Sequence, residues 1–317
     1  EILREPSFPS DEFEQMKRRS LDGLSMMETE PSLLASTLLS QSLSDYQQGD
    51  VRYAPSIDET RKMLSDVTLD QVKKIYQEQV SASKAQVAIV GDFDPDAVVE
   101  RLRSILKAWR SNTPARDIDR QAKKEVAGSQ HRIATPDKAN AVFLAGLSFS
   151  MDEDHPDNAA LRLGNFILGG GTLSSRLGNR IRQKEGLSYG VTSSVSIPSR
   201  GNDARFTINA ITNPGNIDAV ERAAFEELRN FIATGPTDEE LADAKKALLE
   251  AQKVARTGDG GIASQIVSHL HLGRTFAYVA KQEKQIEQLK VDDIVKAFQK
   301  HIDPNKLTVI RAGDFGK

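Results

Sequence analysis

The chain has no cysteine in its 317 residues, which excludes disulfides, thiolate metal sites and cysteine nucleophiles. It has no run of 18 or more apolar residues, so no transmembrane helix and no membrane insertion are expected. It has no excess charge of either sign worth the name. Lys and Arg number 42 against 45 Asp and Glu, a net charge of -3 that gives no electrostatic case for nucleic acid. Histidine is sparse too, and no His-x-x-Glu-His occurs in either direction. The five histidines, His131, His155, His269, His271 and His301, are scattered. His269 and His271 stand two apart, on different faces of a helix, and His155 sits in the acidic loop Met151-Asp152-Glu153-Asp154-His155, which reads as a solvated turn. No metal ligand set is expected in this chain.

What the sequence does contain is a repeat. Residues 67–93 (VTLDQVKKIYQEQVSASKAQVAIVGDF) align without a gap on residues 289–315 (LKVDDIVKAFQKHIDPNKLTVIRAGDF), an offset of 289 − 67 = 222. Eight of the 27 pairs are identical, Gly91-Asp92-Phe93 with Gly313-Asp314-Phe315 among them. Each copy reads as an amphipathic helix, a turn and an apolar strand. Upstream, Pro9-Ser10-Asp11-Glu12 resembles Pro236-Thr237-Asp238-Glu239, a helix-start signal followed by Lys17 or Lys245. The offset there is about 227, so a small insertion separates the copies, placed at Gly49–Pro55. A period this long describes two related domains rather than a solenoid. The second copy starts near Arg132, and 132 − 222 = −90, so the first copy is expected to begin some 90 residues before Glu1. The domains are therefore 1–115, the later part of a first unit, a linker at 116–131, and 132–317, a complete second unit.

In the second copy, strands are predicted at Ala139–Ser148, Leu187–Ile197 and Phe206–Ile211, and helices at Asn158–Leu168, Ile217–Ala233 and Asp238–Ala255. The fold class is α+β, two homologous units each with a mainly antiparallel sheet and helices packed on one face, the first incomplete. Between these elements lies GGGTLSSRLGNRIRQKEGLSY, Gly169 to Tyr189. Thr172 can cap a helix running through Lys184, with Gly186 as its stop. In the following strand Tyr189, Val191 and Val195 would share one face. As a phosphate cradle the segment matches neither glycine-rich fingerprint. On spacing alone a tight turn followed by an amphipathic helix accounts for it.

The same segment resembles one from the pitrilysin (insulinase) superfamily of zinc metallopeptidases, the inverzincins: L-G-G-G-x-x-S-R-L-x-x-x-[IL]-R-x-K-x-G-L-x-Y. This chain supplies Leu168, Gly169, Gly170, Gly171, Ser175, Arg176, Leu177, Ile181, Arg182, Lys184, Gly186, Leu187 and Tyr189. FPSDEFEQMK, GDVRYAPSIDE, VGDFD and AGDFG agree as well, so the resemblance covers essentially the whole chain. It implies the zinc-free C-terminal portion of a metalloprotease, inactive alone, with the alternative of a proteolytically inactive structural or peptide-binding member. Tyr189 would donate to the oxyanion of the tetrahedral intermediate, Arg182 would hold the substrate backbone or the same charge, and Gly169-Gly170-Gly171 would line the substrate path. Arg176 and Arg180 are assigned to ion pairs or packing. The family's distal zinc glutamate falls near Asp22-Gly23, where the acidic pair of active members is absent. Zinc is thus expected in a complementary half, upstream in the same polypeptide or on a separate subunit. The other implied partner is a peptide or unfolded polypeptide, and the implied location is the bacterial periplasm rather than the cytoplasm.

Overall fold

A computed structural model describes residues 3–171 and 174–316. The helices are α1 Ser10–Met27, α2 Pro31–Ser42, α3 Ile57–Asp66, α4 Leu69–Gln79, α5 Pro95–Leu106, α6 Asn158–Asn165, α7 Ile217–Thr234, α8 Asp238–Ala255, α9 Asp259–Leu272, α10 Phe276–Gln288 and α11 Val291–His301. The strands are β1 Ser129–Ala134, β2 Ala141–Ser150, β3 Ser188–Ser196, β4 Asp203–Thr212 and β5 Thr308–Gly313. None of the described helices is long and apolar enough to cross a membrane.

The chain forms two compact units, each assembled from three stretches: Glu1–Leu24, Thr60–Ile118 and Glu250–Ala280 in one, Ser25–Glu59, Asp119–Leu249 and Lys281–Lys317 in the other. These units interleave in sequence, whereas the two repeat copies are contiguous. Helix α2, from the first copy, is part of the second unit, and α9, from the second copy, is part of the first.

The second unit is built on a five-stranded sheet in the order β1-β5-β2-β4-β3. Only the β1–β5 pair is parallel, and the other ladders are antiparallel, as the sequence pattern predicts. β2 is the central strand, and its eight residues Ala141–Ser148 are all buried. Period-two alternation divides them between two cores. Phe143, Ala145 and Leu147 join Phe206, Ile208, Leu228, Phe231 and Phe298 in the larger core, under α6, α7 and α11. Val142 and Leu144 join Ile310 and Ala312 on the opposite face. There α2 lays down Ala35, Leu39 and Leu43, so a helix also covers part of the second face. Each fully buried Leu or Phe contributes about 1.5–3 kcal/mol, so the larger core carries most of this unit's stability.

Several details repeat between the copies. Helices α4 and α11 match end to end at offset 222, and α1 and α8 match end to end at offset 228. Lys17 Nζ donates to the carbonyls of Ser65 and Val67 (2.7 and 2.9 Å), and Lys245 Nζ donates to those of Glu287 and Leu289 (2.9 and 2.6 Å). Both lysines thus tie off carbonyls at the end of the next helix but one, which the helix itself leaves without partners. The six residues between the two offsets fall between α2 and α3, where the Gly49–Pro55 loop lies.

One expectation is corrected. The apolar stretch 85–90 of the first copy, aligned with β5, forms no strand. β5 is held between β1 and β2, and no such ladder partners flank 85–90 among the described residues. A strand exists only through its neighbours' hydrogen bonds, and Val87 and Ile89 remain about half exposed.

Candidate functional site

The glycine-rich segment is framed by two stretches of π-helix, Phe166–Gly170 and Gly178–Lys184. The first continues α6, so the helix predicted over Asn158–Leu168 widens in its last turn. Gly171 N donates five residues back to the Phe166 carbonyl at 2.7 Å. Wide turns of this kind are rare and recur at functional sites. Here the cause is packing against β3. A Cβ on Gly169 would stand 2.6 Å from both the backbone N and the Oγ of Ser193. On Gly170 it would meet Asn165 Nδ2 at 2.6 Å, and on Gly171 the Phe166 carbonyl oxygen at 2.8 Å. A buried pair fixes this approach: Ser193 Oγ donates to Asn165 Oδ1 (2.8 Å), and Asn165 Nδ2 donates to the Ser193 carbonyl (3.3 Å). The cap expected from Thr172 lies outside the described residues. Ser175 Oγ, buried, accepts from Gly178 N at 3.3 Å.

The arginines that follow divide into two classes. Arg176 forks onto Glu240, Nε to Oε1 at 2.8 Å and Nη2 to Oε2 at 2.7 Å, donates to the Gly235 carbonyl, and lies over the Phe231 ring. The Arg176 hydrogen bonds hold Glu240 below the usual carboxylate range. Arg180 pairs with Glu185, Glu226 and Glu227. Both are therefore structural, as expected. Arg182 is exposed, two positions beyond Arg180 and next to fully buried Ile181. Among the described residues no ion pair or hydrogen bond engages it. Gly186 ends the segment, the stop predicted there, in a left-handed conformation with φ +63°.

Tyr189 is where the structure departs most from strand alternation. Ser188 pairs with Thr212 and Gly190 with Ile211, so Tyr189 is one extra residue in β3, a β-bulge. Ser188 anchors it: its Oγ accepts from Gly190 N (3.1 Å) and lies 2.7 Å from the Ile211 carbonyl, to which it donates. Bulges re-aim side chains. Tyr189 is 68% exposed while Val191 is buried, so the two do not share a face as alternation predicts. β3 is also an edge strand.

The remaining candidates behave differently. Asp22 is exposed on α1 beside Gly23, so the residues there do not fit the family's zinc. His269 and His271 lie on α9. His155 is not a simple solvated turn. It is half-buried, and its ring packs edge-on against His301 with centroids 5.2 Å apart, beside Asp157. No sequence signal pairs His155 with His301, because the fold alone brings the start of α6 beside the end of α11.

This α+β unit presents, among the described residues, an arginine without an ion pair and a bulged tyrosine; by the family it matches it is an inactive peptidase domain, the non-catalytic half of zinc-protease-like proteins. The Peptidase M16 inactive domain family matches residues 66–248, and the chain belongs to that family. The crystal structure of a peptidase M16 inactive domain from Pseudomonas fluorescens superposes with a TM-score of 0.85 at 27% identity, over 99% of this chain and 72% of that one. The non-peptidase homolog YmxG of Helicobacter pylori is 24% identical over 97% of this chain and 69% of its own length. An uncharacterized zinc protease of Streptomyces coelicolor is 24% identical over 87% of this chain and 56% of its own length.

Proposed function

We propose that the chain supplies the substrate-facing side of a composite peptidase site whose zinc is held by a complementary half. That half is either part of the same polypeptide or a separate subunit. The observation that carries this reading is the contrast along one segment: Arg176 and Arg180 are tied down, whereas Arg182 and Tyr189 are exposed and their side chains have no ion-pair or hydrogen-bond partner among the described residues. Scaffolding needs neither a free guanidinium there nor a bulge that turns a phenol outward. The Tyr189 phenol donates to the oxygen of the scissile carbonyl as negative charge develops on it, and Arg182 binds the peptide backbone or the same charge. Such a donor is worth about 2.7–4 kcal/mol in rate. The substrate is a peptide or unfolded polypeptide, added along a strand edge. Gly169-Gly170-Gly171 line the substrate path: Gly169 lets the turn lie close to β3, and Gly170 and Gly171 let it close on Asn165 and Phe166. The sequence copies 1–115 and 132–317 are two examples of one unit that exchange α2 and α9. The site of action is the bacterial periplasm, an assignment made on family resemblance.

The test is Tyr189→Phe in the protein assembled with its zinc-binding half, assayed on an unfolded peptide. Turnover should fall about 10²–10³-fold with little change in KM. Unchanged turnover removes Tyr189 from the mechanism. The name non-peptidase homolog borne by the H. pylori relative favours a second reading, a proteolytically inactive structural or peptide-binding member. No turnover by the assembled parent protein, with peptide still bound, would establish that reading.

A further inference from the structure

Among the described residues, one group of His, Asp and Glu side chains gathers three ligand atoms within 4.8 Å of one another: His155, Asp157 and His301. His155 and Asp157 precede α6, and His301 closes α11, so the cluster clamps the last helix to the loop after β2. His301 Nε2 lies 2.8 Å from Asp157 Oδ2, and His155 Nδ1 lies 3.8 Å from the same oxygen. The Asp157 amide donates to His155 Nδ1 at 3.1 Å, so the proton of the neutral ring is on Nε2 and Nδ1 keeps its lone pair. All three side chains are partly buried, and Phe149 packs on the His301 ring with centroids 5.6 Å apart, which fixes its plane.

We propose that His155, Asp157 and His301 bind one divalent transition ion of the Zn2+ class. Two imidazoles and a carboxylate are borderline ligands, suited to Zn2+, Ni2+ or Co2+ rather than to Mg2+ or Ca2+. A tetrahedron with 2.0–2.1 Å bonds has edges of about 3.3 Å, and the observed 2.8 and 3.8 Å fall on either side of that value. The ion takes the Nδ1 lone pair in place of the Asp157 amide and replaces the His301 proton contact to the carboxylate. A cation already stands at this carboxylate: Lys300 Nζ lies 2.8 Å from Asp157 Oδ2, on a side chain 58% exposed and free to swing away. The loop residues Asp152 and Asp154 add negative potential beside His155, while Glu153 is paired with Arg162 at 3.0 Å. Three protein ligands leave a position for water, and the ion's effect is to pin α11, which carries core residues Ile294 and Phe298, onto the start of α6.

The experiment is isothermal titration of chelator-treated full chain with Zn2+ alone, with Co2+ absorption reporting coordination. One equivalent should bind in the parent. His155→Gln, Asp157→Asn and His301→Gln should each weaken it at least about tenfold, since losing even a group that only supports a ligand costs 10–100-fold. Lys300→Met should tighten binding by removing the competing ammonium, while His269→Gln should leave it unchanged. If His301→Gln fails to fold, His155→Gln on the surface loop still decides. Absence of binding in the parent, or binding insensitive to His155→Gln, overturns the proposal.

Discussion

Gly169→Ala is the substitution that most sharply separates packing from substrate contact in the glycine-rich segment. The new Cβ would lie 2.6 Å from Ser193 N and Oγ and 2.8 Å from Leu177 Cδ1. Two of those atoms belong to β3 and the third to a fully buried side chain, so nothing flexible gives way. The π-helical turn must move off the strand, an overpacking cost of about 1–3 kcal/mol. That movement also stretches the two buried Asn165–Ser193 hydrogen bonds, each worth about 0.5–1.5 kcal/mol net. The expected loss is about 2–6 kcal/mol, a large share of the 5–15 kcal/mol typical of a domain. Gly23→Ala is the control: it lies inside α1 with nothing within 4 Å of its would-be Cβ, and should stabilise by about 0.8–1 kcal/mol. Urea unfolding followed by circular dichroism measures both, and hydrogen exchange of β3 amides locates the damage at Ser193. A Gly169→Ala protein as stable as its parent refutes the packing account. Lost peptide binding at unchanged stability would instead place Gly169 against substrate.

The other substitutions address the surrounding supports. Leu39→Ala, on the face of the sheet covered by α2, should cost about 2–5 kcal/mol and expose β2 and β5 amides to exchange. Glu240→Gln bears on acid stability. Arg176 holds the folded-state pKa of Glu240 below its usual value, so its contribution is present above the unfolded value and lost as pH falls through the folded one. The parent should therefore lose stability on acidification below about pH 4.5, more steeply than the Gln variant, and parallel acid-unfolding curves would contradict this. Arg182→Gln and Tyr189→Phe should leave the unfolding free energy within about 0.5 kcal/mol, because both side chains are exposed and bond to no other side chain among the described residues.

Local pattern was enough to place most of the elements. The sequence puts a helix at Asp238–Ala255, and the structure has one with those ends; alternation finds β3 and β4 within a few residues. These elements carry their own signals in side-chain periodicity and caps, as in the Thr68–Gln71 capping box of α4. That Arg176 and Arg180 are structural was legible from their place on an amphipathic segment, but their partners Glu226, Glu227 and Glu240 lie on α7 and α8 and only the fold supplies them. By itself, then, the sequence determined the α+β class, the repeated helices, the stop at Gly186 and the family. Tertiary structure decided what depends on distant partners. Residues 85–90 have the composition of a strand, but a ladder needs neighbours to accept its hydrogen bonds. Tyr189 obeys alternation until Ser188 and the β4 register insert it as a bulge. His155 and His301, 301 − 155 = 146 residues apart, meet only because α6 and α11 pack over the same core. Periodicity encodes which face of an element is apolar, but not which other element will cover it.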